Sequence, residues 1–294
     1  MPLDCVIVGG GPAGLMTAIY LARFRRSVCV IDAGASRAAL IPRSHNLPGF
    51  AGGLPGTELL ARMTAQLAEL KVPLVRAEVT VLEKAQDRFQ MSWTGGAADA
   101  ATVVLACGIV DIHPTCEQWR LAVAEGLLRY CPVCDAYEAR GRRIAVVGPL
   151  DHATPKALFL RGFSSDVTVL ATRMNGDDMA SVLSEADISL IHAPDVSLRR
   201  SGSKLEAALP DTAVAFDVVY PAMGAEVRSQ LALSLGAART DEGYLTVDNH
   251  QRTSIAGLYG VGDLVVDLHQ ISVAFGHAAV AACTIHNSLP RRLA

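Results

Sequence analysis

The sequence predicts an α/β protein assembled from two strand–turn–helix units of the parallel-sheet kind. Three observations predict it. The chain opens on an apolar strand, a glycine turn, a helix and a second strand ending in an acid. A comparable strand, turn and helix begin near Arg143, echoing the first. Near the C-terminus a short strand runs into Gly262-Asp263 and then a long apolar helix. A chain of 294 residues is long enough for two domains, each with its own core. With 51% hydrophobic, 19% charged and 5% aromatic residues and 25 glycines, it reads as neither a β-sandwich nor a disordered chain.

The first unit is specified in order. Leu3 to Val8 is a buried strand, and Leu15 to Phe24 is a helical run. Between them Gly9, Gly11 and Gly14 keep the G-x-G-x-x-G spacing, with Pro12 and Ala13 inside it. Those glycines allow a tight turn, close approach of backbone to a pyrophosphate, and close packing of helix on strand. The helix start then offers N–H groups and a positive dipole end to the phosphates. Strand Ser27 to Ile31 ends at Asp32, placed to accept hydrogen bonds from a ribose diol. Strand, glycines, helix, strand and acid together specify a dinucleotide site. Residues Ala33 to Gly56 lack periodicity and read as a long loop, and Val72 to Val104 alternates as a β-meander.

The C-terminal end indicates which dinucleotide. Asp263 closes a Gly-rich turn after Gly257 to Val261, where its carboxylate can bind a polyol hydroxyl such as the ribityl chain of FAD. His269-Gln270-Ile271 leads into the helix Ser272 to Asn287, with Ser272 as its cap. A helix N-terminus at a flavin's pyrimidine edge would stabilise the negative charge that grows there on reduction.

Between these two regions stands Cys131-Pro132-Val133-Cys134-Asp135. Structural zinc needs four ligands, and the sequence offers neither a second Cys-x-x-Cys nor a paired His-x-His at the characteristic spacing. A dithiol beside a flavin is instead a two-electron relay, one thiol exchanging with a partner and the other resolving or facing the ring. The other five of the seven cysteines lie mostly in apolar stretches and read as small hydrophobes. A formal charge of −3 gives no reason to expect nucleic acid or an anionic membrane as partner. No apolar run approaches membrane-spanning length, the apolar start runs straight into a glycine loop rather than a signal peptide, and a cytoplasmic location is expected. Among histidines, His152 and His277 are candidate bases, although His277 sits where a helix-packing residue is expected. Arg140, Arg142 and Arg143 read as a solvated turn.

Taken together, these motifs resemble the low-molecular-weight thioredoxin reductases and their relatives among the pyridine nucleotide–disulfide oxidoreductases. The resemblance covers nearly the whole chain. It rests on Gly9 to Gly14, His45-Asn46-Leu47-Pro48-Gly49-Phe50, Leu105-Ala106-Cys107-Gly108, Cys131 to Asp135, Gly243 to Asp248, Gly262-Asp263 and His269-Gln270-Ile271. It implies two Rossmann-like FAD/NAD(P)-binding domains, the second inserted into the first, with FAD segments at 1–112 and 242–294 and the insert at 113–241. It implies FAD contacts from Gly9, Gly11, Pro12, Ala13, Gly14, Asp32, Ala33, Gly34, Arg37, His45, Asn46, Val79, Ala106, Gly108, Gly262, Asp263, His269, Gln270 and Ile271. It places Cys134 against the flavin, makes Cys131 the exchanging thiol, and gives Asp135 the role of protonating the departing thiolate. A homodimer is implied as well.

The second nucleotide loop departs from the family pattern. It reads Gly148-Pro149-Leu150-Asp151, with Leu150 where relatives carry glycine and Pro149 removing an N–H donor. The next helix is expected to begin at Thr154-Pro155-Lys156. Where the family shows His-Arg-Arg for the 2′-phosphate of NADPH, this chain has Ala171-Thr172-Arg173, leaving Arg173 as the remaining NAD(P) phosphate ligand. The expectation is an FAD-dependent thiol/disulfide oxidoreductase with a degenerate NADPH site. Its partner would be a thioredoxin-like protein or a small-molecule dithiol or disulfide. The alternatives are an oxygen-dependent oxidase forming a disulfide in a small molecule, and a non-catalytic FAD-binding redox sensor.

Overall fold

The computed structural model describes residues 3–176, 178–209, 212–265 and 268–291. It divides into two compact units. The first holds residues 1–39, 56–110 and 226–294, and the second holds 40–55 and 111–225.

In the first unit the apolar run Leu3–Val8 is the central strand, its last four residues fully buried, as a parallel strand covered on both faces requires. It pairs in parallel with Val28–Asp32 on one side and Gly96–Leu105 on the other. Leu258–Gly260 adds in parallel to the far end of Gly96–Leu105. The expectation of a meander from Val72 is corrected at its start. Leu74–Arg76 is a parallel strand beside Val28–Asp32, and only Val79–Ala85, Arg88–Trp93 and the first half of Gly96–Leu105 form the antiparallel meander. Alternation over three residues does not reveal which neighbour a strand will choose. Among the described residues the order is third, second and first strand and then Gly96–Leu105, so that the parallel strands keep the Rossmann arrangement. The helix Pro12–Arg23 starts with Pro12 at its first position, where a missing N–H costs nothing. It packs beside the C-terminal helix Ile271–Ser288.

The second unit repeats the plan. Ile144–Gly148 lies between Val167–Ala171 and Val218–Pro221, with Ser189–His192 outermost, all parallel. Ile144 to Val147 and Val167 to Ala171 are buried. A second four-stranded sheet has Ser197–Ser201, Lys204–Leu209 and Thr212–Phe216 antiparallel and Thr115–Cys116 parallel at its edge, and packs Leu198, Leu205, Ala207 and Phe216 into a core shared with Leu128, Ala145 and Val219.

Two boundaries fall elsewhere than the sequence suggests. Residues 40–55 group with the second unit, because their loop is closed on itself by a Ser44–Leu54 bridge and Leu40 packs against that unit's core. Residues 226–241 group with the first unit.

Candidate active site

The turn after the first strand is set by close approaches that only glycine permits. A Cβ on Gly9, where φ is +111°, would lie 2.4 Å from the Ala106 carbonyl oxygen. A Cβ on Gly14 would lie 1.9 Å from the Gly9 carbonyl oxygen. The glycine turn is thereby seated against Ala106-Cys107-Gly108, two of whose residues were expected at the same cofactor. The Gly10 N–H donates to Asp32 Oδ1 at 3.0 Å, which holds the acid at the turn. The C-terminal turn arrives at the same place. A Cβ on Gly262 would meet the Ala13 methyl at 2.9 Å, and Arg37 pairs with Asp263 at 3.3 Å. Pro12, Ala33 and Gly34 adjoin these residues along the chain. His269 stacks obliquely on Tyr244, with ring centroids 5.4 Å apart.

The terminal helix starts at Ile271 with Gln270 as its cap residue, so the expected cap at Ser272 is corrected. The Gln270 carbonyl accepts from Ala274 N–H at 2.9 Å, which places Ser272 inside the first turn. His277 is buried within this helix, whereas His152 is exposed. Val79 is buried in the sheet. His45 and Asn46 are exposed and lie in the other unit. The sequence reading missed Arg76, whose guanidinium is ion-paired with Asp32. Its signal was positional, a base at the end of the strand that pairs, residue for residue, with the strand ending in Asp32.

In the second unit Cys131 and Cys134 are joined by a disulfide, with Cα atoms 5.3 Å apart. Cys131 is the extended residue before a single helical turn, Pro132–Asp135, and Cys134 N–H donates to the Cys131 carbonyl at 3.0 Å. Proline at the first helical position fixes φ there and so sets the direction in which both cysteines leave the backbone. Asp135 closes the turn. The Tyr220 hydroxyl donates to Asp135 Oδ1 at 2.8 Å, and Arg129 Nη1 donates to the Asp135 carbonyl at 3.0 Å. Burial pushes the Asp135 carboxyl above its ordinary pKa, against the opposing pull of Arg129's charge and the Tyr220 bond. The same burial, with Asp135 beside it, raises the Tyr220 phenol and keeps it a donor. Neither Tyr220 nor Arg129 was legible as a site residue, since both reach Asp135 through tertiary structure. Burial quiets two of the other thiols, raising Cys5 to about 12 and Cys107 to about 11.

In the second nucleotide loop one backbone donor is missing and two are engaged within the protein. The helix there runs Leu150–Arg161, starting earlier than the expected Thr154 and carrying Pro155 inside it. Pro149 contributes no N–H, and Leu150 N–H donates to the Arg173 carbonyl at 2.9 Å. His152 N–H donates to the Asp151 carboxylate at 2.8 Å. Leu150 is 2% exposed, packed into the core instead of opening the turn. Arg173 itself is exposed. A cleft of about 300 Å³ opens at the carboxyl ends of the inserted strands, lined among others by His113, Val147, Thr172, Asp195 and Met223, with neither Arg nor Lys among its described lining residues.

Two Rossmann-like units, a glycine cradle and a Cys-x-x-Cys disulfide with an acid at hand define a disulfide oxidoreductase of the flavin class. The model of the pyridine nucleotide-disulphide oxidoreductase family matches residues 3–279, and the chain belongs to that family. It is 27% identical to a thioredoxin reductase of Treponema pallidum, over 95% of this chain and 94% of that one. It is 26% identical to a thioredoxin reductase of Mycolicibacterium smegmatis at the same coverage. Among solved structures it is similar to HlmI, with a TM-score of 0.89 and 29% identity, covering 97% of this chain and 92% of that one. The thioredoxin reductase of Streptococcus pyogenes gives a TM-score of 0.87 and 26% identity, covering 97% of each.

FAD is the cofactor of this enzyme. The residues of the first unit fit it. The Gly9 to Gly14 cradle, which a single added Cβ would fill, leaves the backbone approach that a pyrophosphate needs. Among the described residues no helix is long and apolar enough to cross a membrane.

Proposed function

We propose that this enzyme oxidises a dithiol at the Cys131–Cys134 disulfide and does not draw its electrons from NADPH. One observation carries the reading. At the helix start where a nicotinamide dinucleotide would lay its pyrophosphate, one donor is missing at Pro149, one is committed to the Arg173 carbonyl and one to Asp151. The Asp151 carboxylate also places negative charge where the phosphates would add more. The neighbouring cleft holds Asp195 and offers no cation among its described lining residues. Arg173 alone is left for a 2′-phosphate.

The chemistry then follows from the pair and its neighbours. A substrate thiolate attacks the Cys131 sulfur, the Cys131–Cys134 bond breaks, and Cys134 departs as a thiolate. Asp135, protonated to a higher pH than an exposed carboxyl, gives its proton to the departing sulfur while Tyr220 holds its other oxygen. The second substrate thiol attacks the sulfur bound to Cys131, releasing substrate disulfide and leaving a Cys131/Cys134 dithiol. FAD, when bound by Gly9 to Gly14, Asp32, Arg37, Asp263 and the start of the terminal helix, supplies the two-electron acceptor that regenerates the disulfide.

A second reading has a thioredoxin-like protein as the thiol partner, as the names of the relatives suggest. The exposed Val133 and Tyr137 beside the pair favour it, since a protein partner buries such side chains.

The test is an anaerobic titration of the yellow protein with NADPH, then NADH, then dithiothreitol, following the visible flavin band. Bleaching by the dithiol alone is expected, with stoichiometric oxygen consumption and peroxide release once air is admitted. Rapid bleaching by stoichiometric NADPH would overturn the reading and make the enzyme an NADPH-driven reductase.

A further inference from the structure

Tyr130, the residue before Cys131, is tied into a small polar and aromatic cluster that no cofactor or proton-transfer role accounts for. Its hydroxyl is hydrogen-bonded to His113 Nδ1. The His113 ring is in turn stacked on Trp119, with centroids 3.8 Å apart and planes 26° apart, and meets Tyr130 edge-on at 5.4 Å. The Arg120 guanidinium lies 4.4 Å from the Trp119 ring. Lys156 Nζ donates to the Tyr130 carbonyl at 3.5 Å. The backbone thus enters Cys131 from a residue held through both its side chain and its carbonyl, and Cys131 itself is extended at φ −126° and ψ 93°.

We propose that His113 is a positioning residue for the redox pair, acting through Tyr130 to hold Cys131 within bonding reach of Cys134. The inference rests on the reading of Cys131/Cys134 as the redox pair. The equilibrium between a disulfide and its dithiol depends on how often the two sulfurs meet in the reduced state. A clamp on the residue before Cys131 raises that frequency and favours the disulfide. Releasing the clamp lets the Cys131 thiol wander, so the pair becomes easier to reduce. His113 touches neither sulfur in this account. It acts by fixing Tyr130.

The test places the FAD-bound protein in anaerobic glutathione buffers, where the pair's disulfide and two glutathione thiols exchange with the dithiol and oxidised glutathione. The reduced fraction is read by alkylation and mass. His113→Phe keeps a ring on Trp119 and removes Nδ1, and Tyr130→Phe keeps the ring and removes the hydroxyl. Each is expected to shift the equilibrium toward the dithiol by about three- to tenfold, the worth of one hydrogen bond. The double variant is expected to shift it no further than the larger single one. Single variants with the wild-type equilibrium constant, or a double variant showing the product of both shifts, would overturn the proposal. If His113→Phe fails to retain FAD, Tyr130→Phe alone decides by the same criterion. A wild-type pair that does not exchange with glutathione at all would sink the redox reading instead, a result separate from either variant outcome.

Discussion

Asp135 is the residue at which stability and chemistry pull apart. Its folded pKa is raised by burial, so the folded chain binds that proton more tightly than the unfolded chain does. The resulting contribution to stability is complete below the ordinary carboxylate pKa and is lost as pH rises through the raised value. Asp135→Asn cannot ionise and keeps an oxygen for the Tyr220 hydroxyl. It should therefore melt higher than wild type at neutral pH, with the difference closing as the solution is made acid, as thermal scans across pH will show. The same variant should turn over about a hundredfold more slowly with a dithiol, since a general acid is worth at least that much. Tyr220→Phe removes a donor that steadies the carboxylate, so the acid should release its proton at still higher pH. In a pH–rate profile the limb belonging to Asp135 should move upward. Asp135 was legible in the sequence because it adjoins the Cys pair. Tyr220 was not, because it lies in a distant strand, Val218–Pro221, and reaches Asp135 only once the inserted sheet has formed.

At the scale of elements, the two nucleotide turns show how one architecture is kept for binding in one place and closed in another. Both follow a buried parallel strand and precede a helix. The first turn leaves its backbone open because Gly9 and Gly14 have no Cβ. A Gly14→Ala methyl would sit 1.9 Å from a carbonyl oxygen, so helix and strand must separate. The purified variant should lose most of its bound flavin, measured as the ratio of visible to ultraviolet absorbance. In the second turn Gly148 is retained for a similar contact, a Cβ there meeting the Ala222 carbonyl oxygen at 2.4 Å, while Leu150 turns inward to the core. The close packing at Gly148 is kept, while Pro149 and Leu150 change the rest of the turn. The departures at Pro149 and Leu150 could be read directly from the sequence. That Arg173 lends its carbonyl to Leu150 N–H could not, since it depends on how the strand Val167–Ala171 lies beside Ile144–Gly148.

For the whole molecule, the first unit is sewn together from three stretches of chain whose ends meet at one site. Arg37 pairs with Asp263, and Gly262 rests on Ala13, contacts that span most of the sequence. A ligand bound at such a junction stabilises the folded state by about 2.7 kcal/mol when present at a hundred times its dissociation constant. Stripping FAD should lower the melting temperature by roughly 5 °C or more, and adding it back should restore the original value. Failure of added FAD to raise the melting temperature of the stripped protein would count against the first unit as its seat. The family resemblance further proposes a homodimer, which light scattering would report as twice the chain mass.

The sequence by itself determined the fold class, the glycine turn, the Cys-x-x-Cys pair and the departures at Pro149 and Leu150 in the second loop. Each of these is written in short-range terms, as residue spacing, strand burial, or the presence or absence of a Cβ and an N–H. Tertiary structure alone decided that Leu74–Arg76 joins the parallel sheet, that residues 40–55 group with the second unit, and that Tyr220, Arg129 and Arg76 attend the acids they do. Those outcomes turn on which distant surfaces meet, and a side chain's partner across a sheet is fixed by register and packing rather than by its neighbours in the chain.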